Sequence, residues 1–370
     1  MEKIIKLKTL FKKNKIDGYI IPKNDEFFGE YIPEHKDRLK YISNFSGSYG
    51  FALILTNKNY LFVDGRYTLQ ANNQCGKFFQ IKTIPGQLPE KILKKKKLKI
   101  GFDPNLFTKK SLNIFFGNTN CKYISLNKNL IDEIWRRKNI VTKNKFYILP
   151  SNSINQNYKQ KIDKILSIMK KKSAEFQFIT ASENNAWLLN IRGRDTEYTP
   201  IPHSYILIDN KKNIKLFCDL KKISPSFKKK FSNIEFSDIN STNLFLSKIS
   251  RKKFIIDRSS CSIHFENIIL KNNIILEQQD PIYILKAVKA KKEIENIKKA
   301  HIYDGAALTK YLFWLKKNFI KKKITEISAA KKLFSFRKKN KSFKYLSFPT
   351  ISGTGPNGAI IHYKATKKSD

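Results

Sequence analysis

The sequence predicts an α/β chain of two related domains in tandem, followed by the start of a third segment of a different kind. Three observations carry this expectation. One order of elements occurs twice: a helix, a buried strand, a short block ending in glycine, then two strands about a polar turn. The block itself recurs as Tyr41–Gly47 and Trp187–Gly193, with Asn44 matched to Asn190 and Gly47 to Gly193. Beyond Leu285 the apolar residues change to long series of three- and four-residue steps, the period of an amphipathic helix.

In chain order, Ile4, Ile5, Leu7, Leu10 and Phe11 have helical spacing, and Asp17-Gly18 stops that helix. Tyr19–Pro22 reads as a short buried strand. Phe51–Thr56 and Tyr60–Val63 are strands about a turn at Asn57-Lys58-Asn59, the residue types that suit a hairpin. In the second copy, Ile162, Ile165, Leu166 and Met169 form the helical stripe and Phe176–Ala181 the strand. Ser204–Ile208 and Ile214–Cys218 flank the polar turn Asp209–Lys212. A stretch rich in Lys and Asn near Ile140–Ser153, containing Pro150, separates the copies. From Ile294 to Leu315 runs one long helix; a second starts after Thr325, a plausible N-cap, and runs to about Lys338. Phe348–Ser352 and Ala359–Tyr363 read as the strands of a hairpin about a glycine-rich turn.

Composition bounds function. Of 370 residues, 73 are Lys or Arg and 30 Asp or Glu, a net charge of +43. With 41% apolar and 13% aromatic residues, the chain can bury a core, so charge-driven disorder does not describe it. The charge would suit nucleic acid, but the lysine runs Lys94–Lys97, Lys170–Lys172, Lys228–Lys230 and Lys321–Lys323 are scattered rather than gathered in one basic face. A solvated Lys-rich surface is therefore expected, with no specific nucleic-acid partner. Cys75, Cys121, Cys218 and Cys261 lie far apart without a CxxC pair, which predicts reduced, mostly buried thiols rather than zinc or a disulfide framework. The N-terminus lacks a cleavage site, and no apolar stretch approaches the roughly 18 residues of a membrane span. No membrane partner and a cytoplasmic location are expected.

Four motifs bear on chemistry. Gly353–Gly358 satisfies GxGxxG, but a dinucleotide site needs a helix next and an acid further on, and neither follows. A tight turn presenting the next strand is the expectation. His362 lies in that strand beside Tyr363. Asp64-Gly65-Arg66-Tyr67 closes the first hairpin and opens a helix, placing a guanidinium where it could meet a carboxylate or carbonyl. Glu34–Asp37 and His264-Phe265-Glu266 set acids near histidines without metal-ligand spacing, and are read as exposed loop or helix-face residues.

Taken together, Phe348–Gly353, Gly355–Tyr363, Gly47-Ser48 through Asp64–Tyr67, Trp187–Gly193 and Ala300–Ala307 resemble the Xaa-Pro aminopeptidases (aminopeptidase P) of the creatinase-like pita-bread metallopeptidases, in the order and spacing of the three-domain type. The resemblance implies two creatinase N-terminal-like domains, each a mixed sheet with flanking helices, followed by an α+β pita-bread domain. The expected division is 1–142 for domain I, 143–153 for a linker, 154–286 for domain II and 287–370 for the beginning of the catalytic domain. It implies removal of an N-terminal residue preceding proline by two divalent ions, usually manganese, that activate a water. His362 and Arg66 are carried over as substrate-binding residues, a proline-containing peptide as substrate, and a homodimer as the assembly. The family's metal ligands lie downstream of the His-Tyr motif, so the chain is expected to be incomplete or truncated there, with no metal ligands and no peptidase activity of its own. A non-catalytic peptide- or protein-binding module and salt-sensitive electrostatic association with nucleic acid are the competing expectations.

Overall fold

The computed structural model describes residues 1–137 and 144–369. The expected boundary at 142/143 lies outside the described residues. Two compact units are present, 1–149 with 156–287, and 150–155 with 288–370.

The first unit holds two six-stranded sheets of the same design. The strands of the first are β1 (Gly18–Pro22), β2 (Phe51–Leu55), β3 (Asn59–Asp64), β4 (Gln80–Ile84), β5 (Lys99–Phe102) and β6 (Lys122–Ser125), in the order β4-β3-β2-β1-β5-β6. After a two-stranded pair, β7 (Tyr147–Ile148) with β9 (Ile191–Arg192), the second sheet takes β8 (Phe176–Ile179), β10 (Ser204–Asp209), β11 (Ile214–Cys218), β12 (Ile234–Asp238), β13 (Lys253–Ile256) and β14 (Ile274–Glu277). Its order is β12-β11-β10-β8-β13-β14. In each sheet the hairpin strands pair antiparallel with one another and with the first strand, while the outer strands add in parallel. The fold class read from the sequence is therefore the one observed, and the repeat extends to every strand of the two six-stranded sheets.

Each sheet is covered on both faces, so its central strands are apolar throughout rather than alternating with polar residues. In β1 all five residues are buried. Tyr19 and Ile21 enter one core layer with Leu7 and Phe11 of the helix Glu2–Lys13, while Ile20 enters the opposite layer with Phe62 and Phe102. In the second sheet, Ile206 and Ile208 pack with Ile162, Ile165 and Met169 of the helix Tyr158–Lys171, and Tyr205 and Leu207 face the other way.

The matched asparagines have one job. Asn44 ends the helix Arg38–Ser43 and Asn190 the helix Ser182–Leu189, both in the left-handed conformation, with φ 66° and 55°. Asparagine tolerates this region better than most side chains. The matched glycines answer close approach: a Cβ on Gly47 would stand 2.3 Å from the Phe45 ring, and one on Gly193 2.7 Å from Pro202 Cα.

The two domains meet partly through the loop between β1 and the helix Arg38–Ser43. Phe27 stacks on His203 with ring centroids 3.9 Å apart and on Tyr205 at 5.3 Å, and the Tyr205 hydroxyl donates to the Glu26 carbonyl at 3.2 Å. Tyr31 packs against Tyr198, and Ile263 N donates to the Phe107 carbonyl.

In the second unit, the helix Lys291–Asn318 pairs with the helix Glu326–Arg337, whose Arg337 grips Asp304 through Nε and Nη2 at 2.6 and 2.9 Å. Thr325 caps the second helix by accepting from Ser328 N. The expected hairpin is not formed. Among the described residues neither Phe348–Ser352 nor Ala359–Tyr363 is a strand, and Gly355–Ala359 is a 3₁₀ turn with Pro356 near its start. A strand requires an edge that takes its amides and carbonyls; here the segment folds back onto Glu326 instead. The acid-histidine pairs also need correcting. Glu266, read as exposed, is buried against Arg258 Nε and Nη2 at 2.9 and 2.8 Å, and Asp37 is buried as the cap of Arg38–Ser43.

Candidate active-site segments

Arg66 stands where β3 turns into the helix Thr68–Cys75. Asp64 organises the turn, its Oδ1 accepting from Arg66 N at 2.9 Å. The same carboxylate takes the Arg66 side chain in a fork, Nε at 3.1 Å to Oδ1 and Nη2 at 2.6 Å to Oδ2. The donors of Nη1 lie outside that fork. This ion pair holds the guanidinium firmly charged, and it lies 5.4 Å from the Tyr67 ring. Tyr67 is itself buried, with its hydroxyl 2.6 Å from Ser48 Oγ. The arrangement is a rigid backbone turn bearing a half-exposed, planar, permanent cation, suited to a carboxylate or carbonyl.

His362 is exposed, at φ 55°, and follows the 3₁₀ turn Gly355–Ala359. The next residue, Tyr363, is buried. Its hydroxyl donates to Glu326 Oε2 at 2.6 Å, while Thr354 N and Asn357 Nδ2 donate to Glu326 Oε1 at 2.7 and 3.1 Å. Glu326, 4% exposed, was not singled out in the sequence; its only sign there was its place directly after the cap Thr325. Arg66 belongs to the first unit and His362 to the second.

Other titratable groups serve the framework. Burial pushes the Cys75 thiol up to about 11 and Cys218 to about 12, so both stay protonated and unreactive. The four cysteines are free, three of them buried. Burial opposes ionisation of Glu26, but Lys36 and Arg38 outweigh it and hold its carboxyl far below the usual range. Burial, with Lys36 and Lys222 nearby, holds the His203 imidazole well below its ordinary value, and its Nε2 has no hydrogen-bond partner among the described residues.

Among the described residues no group of three or more His, Cys, Asp or Glu side chains could hold a metal ion. These residues do not fit the paired-ion site that the resemblance implies, and no chemistry of those ions is assigned to them. No helix among the described residues is long and apolar enough to cross a membrane.

Residues 3–125 and 136–293 each match the model of the creatinase/prolidase N-terminal domain, and residues 295–369 match metallopeptidase family M24. With the duplicated sheets, these matches show two creatinase/prolidase N-terminal domains followed by the beginning of a family M24 metallopeptidase domain. Its homologues include Xaa-Pro aminopeptidases P. A probable Xaa-Pro aminopeptidase P of Laccaria bicolor is 35% identical over 98% of this chain and 59% of its own length. The Xaa-Pro aminopeptidase 1 of Dictyostelium discoideum is 33% identical over 98% of this chain and 61% of its own. Among solved structures, the X-prolyl aminopeptidase of Caenorhabditis elegans, described as a cytosolic enzyme with a di-nuclear active site, superposes with a TM-score of 0.91 at 26% identity, covering all of this chain and 64% of that one. The chain thus spans about three fifths of the length of these relatives.

Proposed function

We propose that these 370 residues form the N-terminal domains and part of the substrate-side wall of a peptidase that removes a residue preceding proline. The observation that carries this reading is similarity along the whole chain to Xaa-Pro aminopeptidases. In this reading 1–142 and 154–286 are the two N-terminal domains joined by 143–153, and 287–370 begin the catalytic domain. Arg66 pairs with a carboxylate or carbonyl of the peptide, and His362 donates to its backbone. Bond cleavage needs two divalent ions, manganese by family likeness, and residues 1–370 alone do not hydrolyse. The assembly is a homodimer in the cytosol. An assay of Xaa-Pro peptides with added manganese is expected to show no turnover by purified residues 1–370; turnover overturns that part of the proposal. For the binding part, fluorescence anisotropy of a labelled Arg-Pro-Pro peptide is expected to weaken about tenfold for Arg66→Lys, which loses the fork, and for His362→Gln. Unchanged affinity in both variants rejects the assigned contacts.

A further inference from the structure

We infer that Glu326 is the positioning residue of the His362 segment: one buried carboxylate ties both ends of the loop and thereby sets the direction in which His362 is presented. The inference rests on the reading of His362 as a substrate-side group. A glutamate is almost never fully buried unless its charge is satisfied, and Glu326 is satisfied in a particular way. It is the first residue of the helix Glu326–Arg337, where the amides of the opening turn favour an anion. Its two oxygens then divide the loop between them. Oε1 takes Thr354 N at 2.7 Å and Asn357 Nδ2 at 3.1 Å, at the entrance to the 3₁₀ turn. Oε2 takes the Tyr363 hydroxyl at 2.6 Å, beyond the turn, a short charge-assisted bond.

The consequence falls on His362. A non-glycine residue in the left-handed region is held there only by its surroundings, and His362 has φ 55°. No strand pairing holds this segment among the described residues; the turn bond from Tyr363 N to the Ile360 carbonyl at 3.2 Å encloses His362, and the Glu326 bond anchors the Tyr363 side of that turn. Tyr363 is drawn inward by Glu326, and the left-handed residue before it reverses the chain so that the imidazole is exposed. Asn357 Nδ2 and the Tyr363 hydroxyl also lie 3.1 and 2.8 Å from Ser369 O and Oγ, which closes the loop further without replacing the carboxylate.

The test uses the full 370-residue chain carrying ¹³C-labelled histidine, with the His362 signal assigned from His362→Gln. Glu326→Gln keeps the size and removes the charge. It is expected to shift and broaden the His362 Cε1 signal and to speed hydrogen exchange at the Thr354 amide at least tenfold, leaving the His203 and His264 signals in place. Glu326→Asp is expected to restore part of both. Tyr363→Phe cuts only the far end, so it should release His362 while Thr354 stays protected, and it decides the matter if Glu326→Gln disturbs the helix. If both Glu326→Gln and Tyr363→Phe leave the His362 signal unmoved, the inference is overturned. Titration of the wild-type chain with Arg-Pro-Pro separates the two readings: a His362 signal indifferent to peptide rejects the substrate-side role and leaves the Glu326 effect on His362 to be judged by the variants.

Discussion

Asn190 shows how much one side chain can hold. Its backbone ends a helix in the left-handed region, its Oδ1 accepts from the buried Lys161 Nζ at 2.6 Å, and its Nδ2 donates to the Gln156 carbonyl at 2.9 Å. Lys161 also donates to the Trp187 carbonyl and lies 3.9 Å from the Trp187 ring, so the asparagine is one of the groups that together satisfy its ammonium. Replacing one partner of a buried bond leaves the other unsatisfied. We expect Asn190→Ala to lower unfolding stability by about 3 kcal/mol, summing a left-handed alanine and a weakened lysine site, and Asn190→Gly to lose less because the backbone penalty vanishes. The urea midpoints of the two variants check this, and equal losses would reject the backbone share. The match between Asn44 and Asn190 could be read in the sequence because helix termination depends on local backbone preference. The burial of Lys161 could not, since nothing near a lysine in the chain states what will cover it.

At the scale of elements, the loop between β1 and the helix Arg38–Ser43 is the instructive case. It looks polar in sequence, yet Phe27 packs with the core residues of the second sheet and stacks on His203. His203 N donates to Asp195 Oδ2 at 2.7 Å, and Asp195 is paired with Lys222, so the imidazole is set between Phe27, Lys36 and Lys222, with Glu26 and His35 also near. Its folded pKa lies below the unfolded value of 6.5. The unfolded chain therefore binds the proton first as pH falls. Stability from this group is present above pH 6.5 and is lost below it, at up to about 1.4 kcal/mol per pH unit. We expect the difference in melting temperature between wild type and His203→Gln to change sign or shrink between pH 7.5 and 5.5, with the wild type losing more; parallel curves would reject the coupling. Phe27→Ala is expected to cost up to about 3 kcal/mol, because a half-buried ring leaves a smaller cavity than a core one. The hairpin expected at 348–363 fails for the complementary reason. Its alternation of residues is strand-like, but strand formation is a property of a pair, and the segment finds a carboxylate instead of an edge.

For the molecule as a whole, surface composition makes two further predictions. Ile302, Leu312, Phe313, Phe319 and Ile320 are exposed on and just beyond the helix Lys291–Asn318. Apolar residues gathered this closely favour association. Purified residues 1–370 are expected to self-associate with rising concentration in sedimentation velocity, and the double variant Phe313→Glu, Ile320→Glu to reduce it; a concentration-independent monomer would reject this. The net charge of +43 is spread along the chain, so binding to random duplex should be weak, indifferent to sequence and lost steeply between 50 and 200 mM salt. Sequence-dependent binding that survives salt would show a built nucleic-acid site.

The sequence by itself determined the duplicated α/β architecture, because buried strands and amphipathic helices declare themselves through short periods, and their order repeats around Asn44 and Asn190. It also singled out Arg66 and His362, whose surrounding residues are contiguous in the chain. Only the tertiary structure decided what holds them. Asp64 is two residues from Arg66, but Glu326 reaches His362 through Tyr363 from a separate helix, and Phe27 reaches His203 across two domains. Such contacts depend on which surfaces the folded chain brings together, and burial of a charged or aromatic side chain among distant residues leaves no local period to read.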